Sequence, residues 1–125
     1  MATYSRLDLR SFTAGADLSL LQYSMLKLDV NGAVIPCAIA GEKAIGILAN
    51  APTLGQAAAI LPLGQGGQFK VKLAGTVAIG DPIVTNNAGL GITSVTPGHA
   101  IVGYAETAGA AGDIISITVE SGNIV

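Results

Sequence analysis

The chain has 125 residues, half of them hydrophobic, and six Lys/Arg against eight Asp/Glu leave a net charge of -2. That is one ordinary domain, long enough to bury a core without metal or disulfide staples. So sparse a charge argues against nucleic-acid binding, which needs a basic face to displace counterions, and against a polybasic membrane patch.

Five residues are aromatic (Tyr4, Phe12, Tyr23, Phe69 and Tyr104), so the core is expected to be built from Ala, Val, Ile and Leu. With 14 charged groups in all, the surface is weakly charged, and part of it is expected to be covered by partner protein. The competing reading is a monomer coated with Ser, Thr, Asn and Gln. No apolar stretch of signal-peptide type opens the chain. The charge-free stretches 44–69 and 82–105 are broken by Pro and Gly and do not read as membrane helices.

In chain order, Tyr4–Phe12 alternates: Arg6, Asp8 and Arg10 point one way, Leu7 and Leu9 the other. This predicts an extended arm or an edge strand, with 1–15 as the arm and 16–125 as a single β domain. Asp17 is placed to cap a short helical turn over Leu18–Leu21. Tyr23–Val30 reads as a strand ending at the turn signal Asn31-Gly32. Strands over Val34–Ala40, Ala44–Ala49 and Ala57–Leu63 follow, then a Gly-rich tip over 64–67.

Phe69–Leu73 alternates, with Lys70 and Lys72 outward. Thr76–Thr85 contains the turn Gly80-Asp81-Pro82, and the last strands are Ile92–Thr96, Ala100–Ala105 and Ile114–Val119. The frequent Gly and Pro would cost helices about 1 and 3 kcal/mol apiece, whereas short strands tolerate them. The prediction is an all-β fold, a small β-barrel or sandwich of about ten short strands with an extended N-terminal arm.

Residues 28–62 align to 85–119 without a gap, at an offset of 57. Gly32, Gly41, Gly46 and Gly55 land on Gly89, Gly98, Gly103 and Gly112. This points to two equivalent β units sharing one core.

The chemistry of a catalyst is hard to assemble from these residues. Cys37 lies in an apolar run and reads as a buried, inert thiol. His99, in Pro97-Gly98-His99, is the lone histidine and reads as a solvated turn residue. Asp81 and Asp113 each follow a glycine and suit a backbone-bonding role in a turn. No nucleophile elbow, phosphate loop or zinc-binding helix motif occurs. The expectation is a non-enzyme without cofactor or metal.

The order and spacing of several segments resemble the phage capsid cement or decoration proteins. These segments are the opening Met1–Leu9, Phe12–Ser19, Gln22-Tyr23 leading to Lys27-Leu28-Asp29, Ala44–Ala58, Ala78–Val84 and Val102–Ile117. The resemblance covers nearly the whole chain, although each piece alone is short and rich in Ala and Gly. It implies a β-barrel-like protein, made in the host cytoplasm, that coats the outer surface of the capsid and bridges subunits of the major capsid protein. It also implies a homo-oligomer, a trimer before other states, with no nucleic-acid or membrane partner.

Contact residues are proposed on the arm: Tyr4, Leu7, Leu9 and Phe12 as apolar anchors, with Arg6 and Arg10 as charged ones. Two alternatives are a biotinyl/lipoyl-like carrier domain, suggested by the Gly-Asp turns at 80–81 and 112–113, and a glycan-binding head fibre module. A carrier needs a lysine at a hairpin tip, and the near absence of aromatics counts against sugar stacking.

Overall fold

The computed structural model describes residues 9–65 and 67–125. Ten strands form the regular structure of the described residues. The first five are β1 (Arg10–Thr13), β2 (Met25–Leu28), β3 (Val34–Pro36), β4 (Gly46–Leu48) and β5 (Ala57–Pro62). The second five are β6 (Gln68–Lys72), β7 (Pro82–Thr85), β8 (Gly91–Thr93), β9 (Ala100–Ala105) and β10 (Ile114–Asn123). A 3-10 turn, Leu63–Gln65, joins β5 to β6, and the described residues contain no α-helix.

The helical turn expected over Leu18–Leu21 does not form. Asp17 Oδ1 does accept a bond from Ser19 N at 3.1 Å, as a cap would. Two successive tight turns follow, Leu21 N to Leu18 O and Ser24 N to Leu21 O, and Tyr23 within the second takes φ 70°, so no right-handed helix continues past Leu21.

The strands make two five-stranded antiparallel sheets, ordered β1-β5-β4-β2-β3 and β6-β10-β9-β7-β8. The two orders are the same, position for position. The registers agree as well: Leu26↔Pro36 becomes Ile83↔Thr93, Met25↔Ile47 becomes Pro82↔Tyr104, and Leu48↔Ile60 becomes Ala105↔Ile117. Each pair is displaced by the 57 residues of the glycine alignment. The correspondence also reaches beyond the sequence repeat. Arg10 faces Ile60 as Phe69 faces Ile117, so β1 answers to β6 at an offset of 59.

Each sheet curls until a residue just after its first strand meets its third strand through one parallel bridge, Ala14↔Val34 and Leu73↔Gly91. It stops short of a closed barrel, and the whole is sandwich-like.

Local chemistry explains the duplicated turns. Asp29 Oδ1 accepts from Asn31 N (2.8 Å) and Ala33 N (3.0 Å), and Asn86 Oδ1 accepts from Ala88 N (2.8 Å) and Leu90 N (2.9 Å). Either side chain stands in for a backbone acceptor, which is how Asx residues start turns. The Gln56 amide oxygen accepts from Thr53 N at 2.8 Å, and the Asp113 carboxylate accepts from Ala110 N at 2.9 Å in the matching loop. Asp81 caps its own turn through Ala78 N at 2.9 Å. Gly46 and Gly103 permit close strand approach: an added Cβ would lie 2.3 Å from Leu61 O and 2.4 Å from Thr118 O.

Two apolar clusters hold the units. One belongs to the first unit alone: Leu18, Leu26, Val34, Leu48, Ala58 and Ile60, with Phe12 against them. The other combines Met25, Ile47 and Leu61 of the first unit with Val71, Leu73, Ile83, Val102 and Ile117 of the second. Fully burying one such Leu or Ile contributes roughly 1.5–3 kcal/mol. The shared cluster therefore welds the units together. As the alternation predicted, Ile115, Ile117 and Val119 are inward and Thr118 and Glu120 exposed.

The N-terminal segment needs a correction. Of the two readings, arm or first strand, Arg10–Thr13 take the second, because they pair with Ala57–Ile60 in β5. These residues therefore do not reach away from the domain. The rest of the proposed arm, residues 1–8, lies outside the described residues.

Candidate interaction surface

On β1 the alternation sorts side chains differently from the expected apolar and charged faces. Phe12 turns inward onto the first unit's cluster, with the Arg10 guanidinium 5.9 Å from its ring centre. Leu9, of opposite parity, is 49% exposed. Phe12 is thus committed to the core and Leu9 is free to meet a partner. Tyr4, Arg6 and Leu7 lie outside the described residues.

Other large aliphatic side chains stand in solvent on loops and turns: Leu20, Val30, Ile39, Leu54, Ile79 and Val95. Sequence reasoning passed over them because it looked for strand faces. The available signal was an aliphatic residue set inside a turn signature, as Val30 is in Asp29-Val30-Asn31-Gly32.

His99 is not a solvated turn residue. Its ring sits directly over Gly41, where an added Cβ would lie 2.2 Å from the imidazole carbons. Its Nδ1 is 2.8 Å from Ser94 Oγ, a buried hydroxyl. The backbone beside it ties the units together, Ala100 N to Gly41 O at 2.9 Å and Gly41 N to Thr85 O at 2.8 Å. The contact joins residues 58 positions apart, which local sequence cannot reveal.

The residue equivalent to His99 in the first unit is Glu42. Its carboxylate accepts from Ala38 N (2.5 Å) and Ile39 N (2.9 Å) and pairs with Lys27 Nζ at 3.2 Å. Desolvation pushes its pKa up, but the backbone bonds from Ile39 and Ala38 and the Lys27 ammonium outweigh it and hold the group below the ordinary glutamate value.

Cys37, which answers to Ser94, is fully buried. Desolvation first, then the Glu42 charge, pushes its thiol up to about 11. Lys27, Lys70 and Lys72 lie within strands and Lys43 on the connection between β3 and β4, so none of these occupies a hairpin tip.

Between the units runs a groove of about 610 Å³. One pair of walls is Lys43-Ala44-Ile45 and its equivalent Ala100-Ile101-Val102; the others are Pro62–Gly64 and Ser121–Asn123. Its lining is apolar apart from Lys43 and the rim residues Ser121 and Asn123.

No protein-family description and no curated protein matches the chain. Among solved structures, it is similar to the N base of head fibre gp8.5 of bacteriophage phi29. The TM-score is 0.70 at 19% identity, covering 90% of this chain and 95% of that one. The two share a fold.

Proposed function

We propose that the chain is a bacteriophage virion protein that decorates the outer surface of the capsid and cements it by bridging major capsid protein subunits. The observation that carries this reading is the fold shared with a phage head fibre base over nine tenths of the chain. The sequence resemblance to capsid decoration proteins points the same way. So does a weakly charged surface with exposed aliphatic side chains on its loops, the kind of surface that partner protein covers.

Attachment through several weak contacts suits an oligomer. Once one subunit is docked, the remaining contacts become intramolecular, and modest affinities multiply. A homotrimer spanning a joint between capsid subunits is the arrangement we favour, with the exposed Leu9 among its contacts. The test is biochemical. The protein should co-purify with intact virions in fixed proportion to the major capsid protein, and added back to capsids that lack it, it should raise their resistance to heat. A protein absent from purified virions would overturn the reading.

A further inference from the structure

The contact between the two units is one-sided. Its centre is the segment Tyr23–Met25 of the first unit, which lies between two edges of the second. Tyr23 O accepts from Lys72 N on β6 at 3.0 Å, and Met25 N donates to Gly89 O in the β7–β8 turn at 2.7 Å. Met25, Ile47 and Leu61, a cross-strand row, carry the contact across the first sheet into the shared cluster.

The duplication leaves one copy of each face unused. Lys72 and Gly89 answer to Thr13 and Gly32 in the first unit, at the offsets of 59 and 57. Thr13 points out of its ladder as Lys72 does, because the next residue makes the ladder bond in each case, Ala14 N to Gln56 O and Leu73 N to Asp113 O. Among the described residues no segment enters this seam: Thr13 is exposed, and a Cβ added to Gly32 meets no atom within 4 Å. On the second unit, Tyr23–Met25 answer to Gly80–Pro82, and their row to Pro82, Tyr104 and Thr118. Gly80 is exposed and repeats the left-handed backbone of Tyr23.

The unused faces are apolar where the internal contact is flanked by polar residues. Gln22, Thr85 and Asn87 stand beside the internal contact; their counterparts are Ile79, Leu28 and Val30, all exposed. Aliphatic side chains in water at the places where the contact would recur mark a surface that protein covers.

We propose that a second copy seats its Gly80–Pro82 segment in the seam between β1 and the β2–β3 turn, with Thr13 N donating to Gly80 O and Ile79, Pro82 and Tyr104 set against Leu28 and Val30. The two faces differ, so the contact runs head to tail and repeats until a ring closes. It is weaker than the internal one. Pro82 has no N–H to replace that of Met25, and Gly98 N, the counterpart of the Gly41 N that bonds Thr85 O, is held by Ile124 O of its own unit at 2.8 Å. The contact follows from the duplication and not from the virion reading: a virion protein attached as a monomer would refute the one and spare the other.

Val30→Asp and Ile79→Asp each spoil one face at an exposed position, and neither should change the far-ultraviolet spectrum. By light scattering after size exclusion, the parent should be an oligomer and each variant a single chain. Mixed in equal amounts, the two variants should form a one-to-one dimer and nothing larger, since each supplies the face that the other lacks. A parent that stays a single chain overturns the proposal. So does an oligomer that either variant keeps, which would place the contact elsewhere, and so do variants that stay apart when mixed, which would mean that the contact is not head to tail.

Discussion

Tyr23 and Gly80 hold the same position in the two units, 57 residues apart, and both carry left-handed backbone, φ 70° and φ 86°. Among the described residues Tyr23 is the one non-glycine with positive φ. For an L-residue that conformation costs about 1–2 kcal/mol. The ring offsets it: Tyr23 meets Phe69 edge-on at 6.0 Å between centroids, and the Lys70 ammonium lies 6.0 Å from its centre. Its carbonyl accepts from Lys72 N at 3.0 Å, so the residue ties the first unit to the second.

Tyr23→Gly should therefore relax the backbone and still destabilise the protein, by about 1–2 kcal/mol in chemical denaturation, since the aromatic contact and its buried area exceed the strain. Gly80→Ala, where a Cβ meets no atom, should cost only about 1 kcal/mol, from φ alone. A stabilised Tyr23→Gly would contradict this balance.

Gly46→Ala and Gly103→Ala should be far worse. Each puts a methyl against a neighbouring strand's carbonyl oxygen, at 2.3 Å and 2.4 Å, and no rotamer relieves a clash with backbone. Losses above about 3 kcal/mol are expected in both units, measured by urea midpoint.

His99→Ala should cost about 1–3 kcal/mol, because the buried Ser94 hydroxyl loses its ring partner. It should leave attachment to the capsid intact. Gly41→Ala should be severe alone and much milder in the His99→Ala background, since the ring it strikes is gone. Additive losses in the double-mutant cycle would sink this account of the seam.

The Cys37 thiol predicts a pH dependence. Its folded pKa, about 11, lies above the ordinary value of 9.0, so the native state keeps a proton that the unfolded chain releases. The resulting stability is fully present below pH 9.0 and is lost as pH rises toward about 11. In Cys37→Ala the fall in unfolding free energy across that window should be shallower than in the parent. Thiol reagents should label the native parent at pH 8 far more slowly than the unfolded chain.

Leu9 and Phe12 should separate attachment from stability. Leu9→Ser should leave the unfolding midpoint where it is and weaken binding to capsids. Phe12→Ala should cost about 1–3 kcal/mol, as expected for a half-buried aromatic ring. Equal capsid affinity for Leu9→Ser and the parent would remove Leu9 from the contact surface.

Much of this architecture was legible in the residues. Ala100–Ala105 was predicted to the residue, and the glycine spacing revealed the duplication because turns and close strand approaches admit little else. The match of β1 with β6 was hidden: Arg10–Thr13 and Phe69–Lys72 share no pattern, and an offset of 59 breaks a gapless alignment.

The inward turn of Phe12 was equally hidden, since period-two alternation gives two faces without saying which meets the core. Predicted strands also ran long, as with Val34–Ala40 against Val34–Pro36. There the Glu42 carboxylate takes Ala38 N and Ile39 N out of any ladder, a competition that propensity cannot register.

The shared cluster also sets an order of assembly during synthesis. The first unit's strands are all made once Pro62 has emerged, whereas the second must wait for β10 at Ile114–Asn123. In that interval Met25, Ile47 and Leu61 have none of their second-unit neighbours, and a neighbouring nascent chain offers the same bare face. Divergence between the halves limits the resulting mispairing. Met25, Ile47 and Leu61 answer to Pro82, Tyr104 and Thr118, none of which joins the shared cluster; the second unit meets them with Val71, Leu73, Ile83, Val102 and Ile117 from other positions, so a copy of the half-made chain cannot reproduce the native contact.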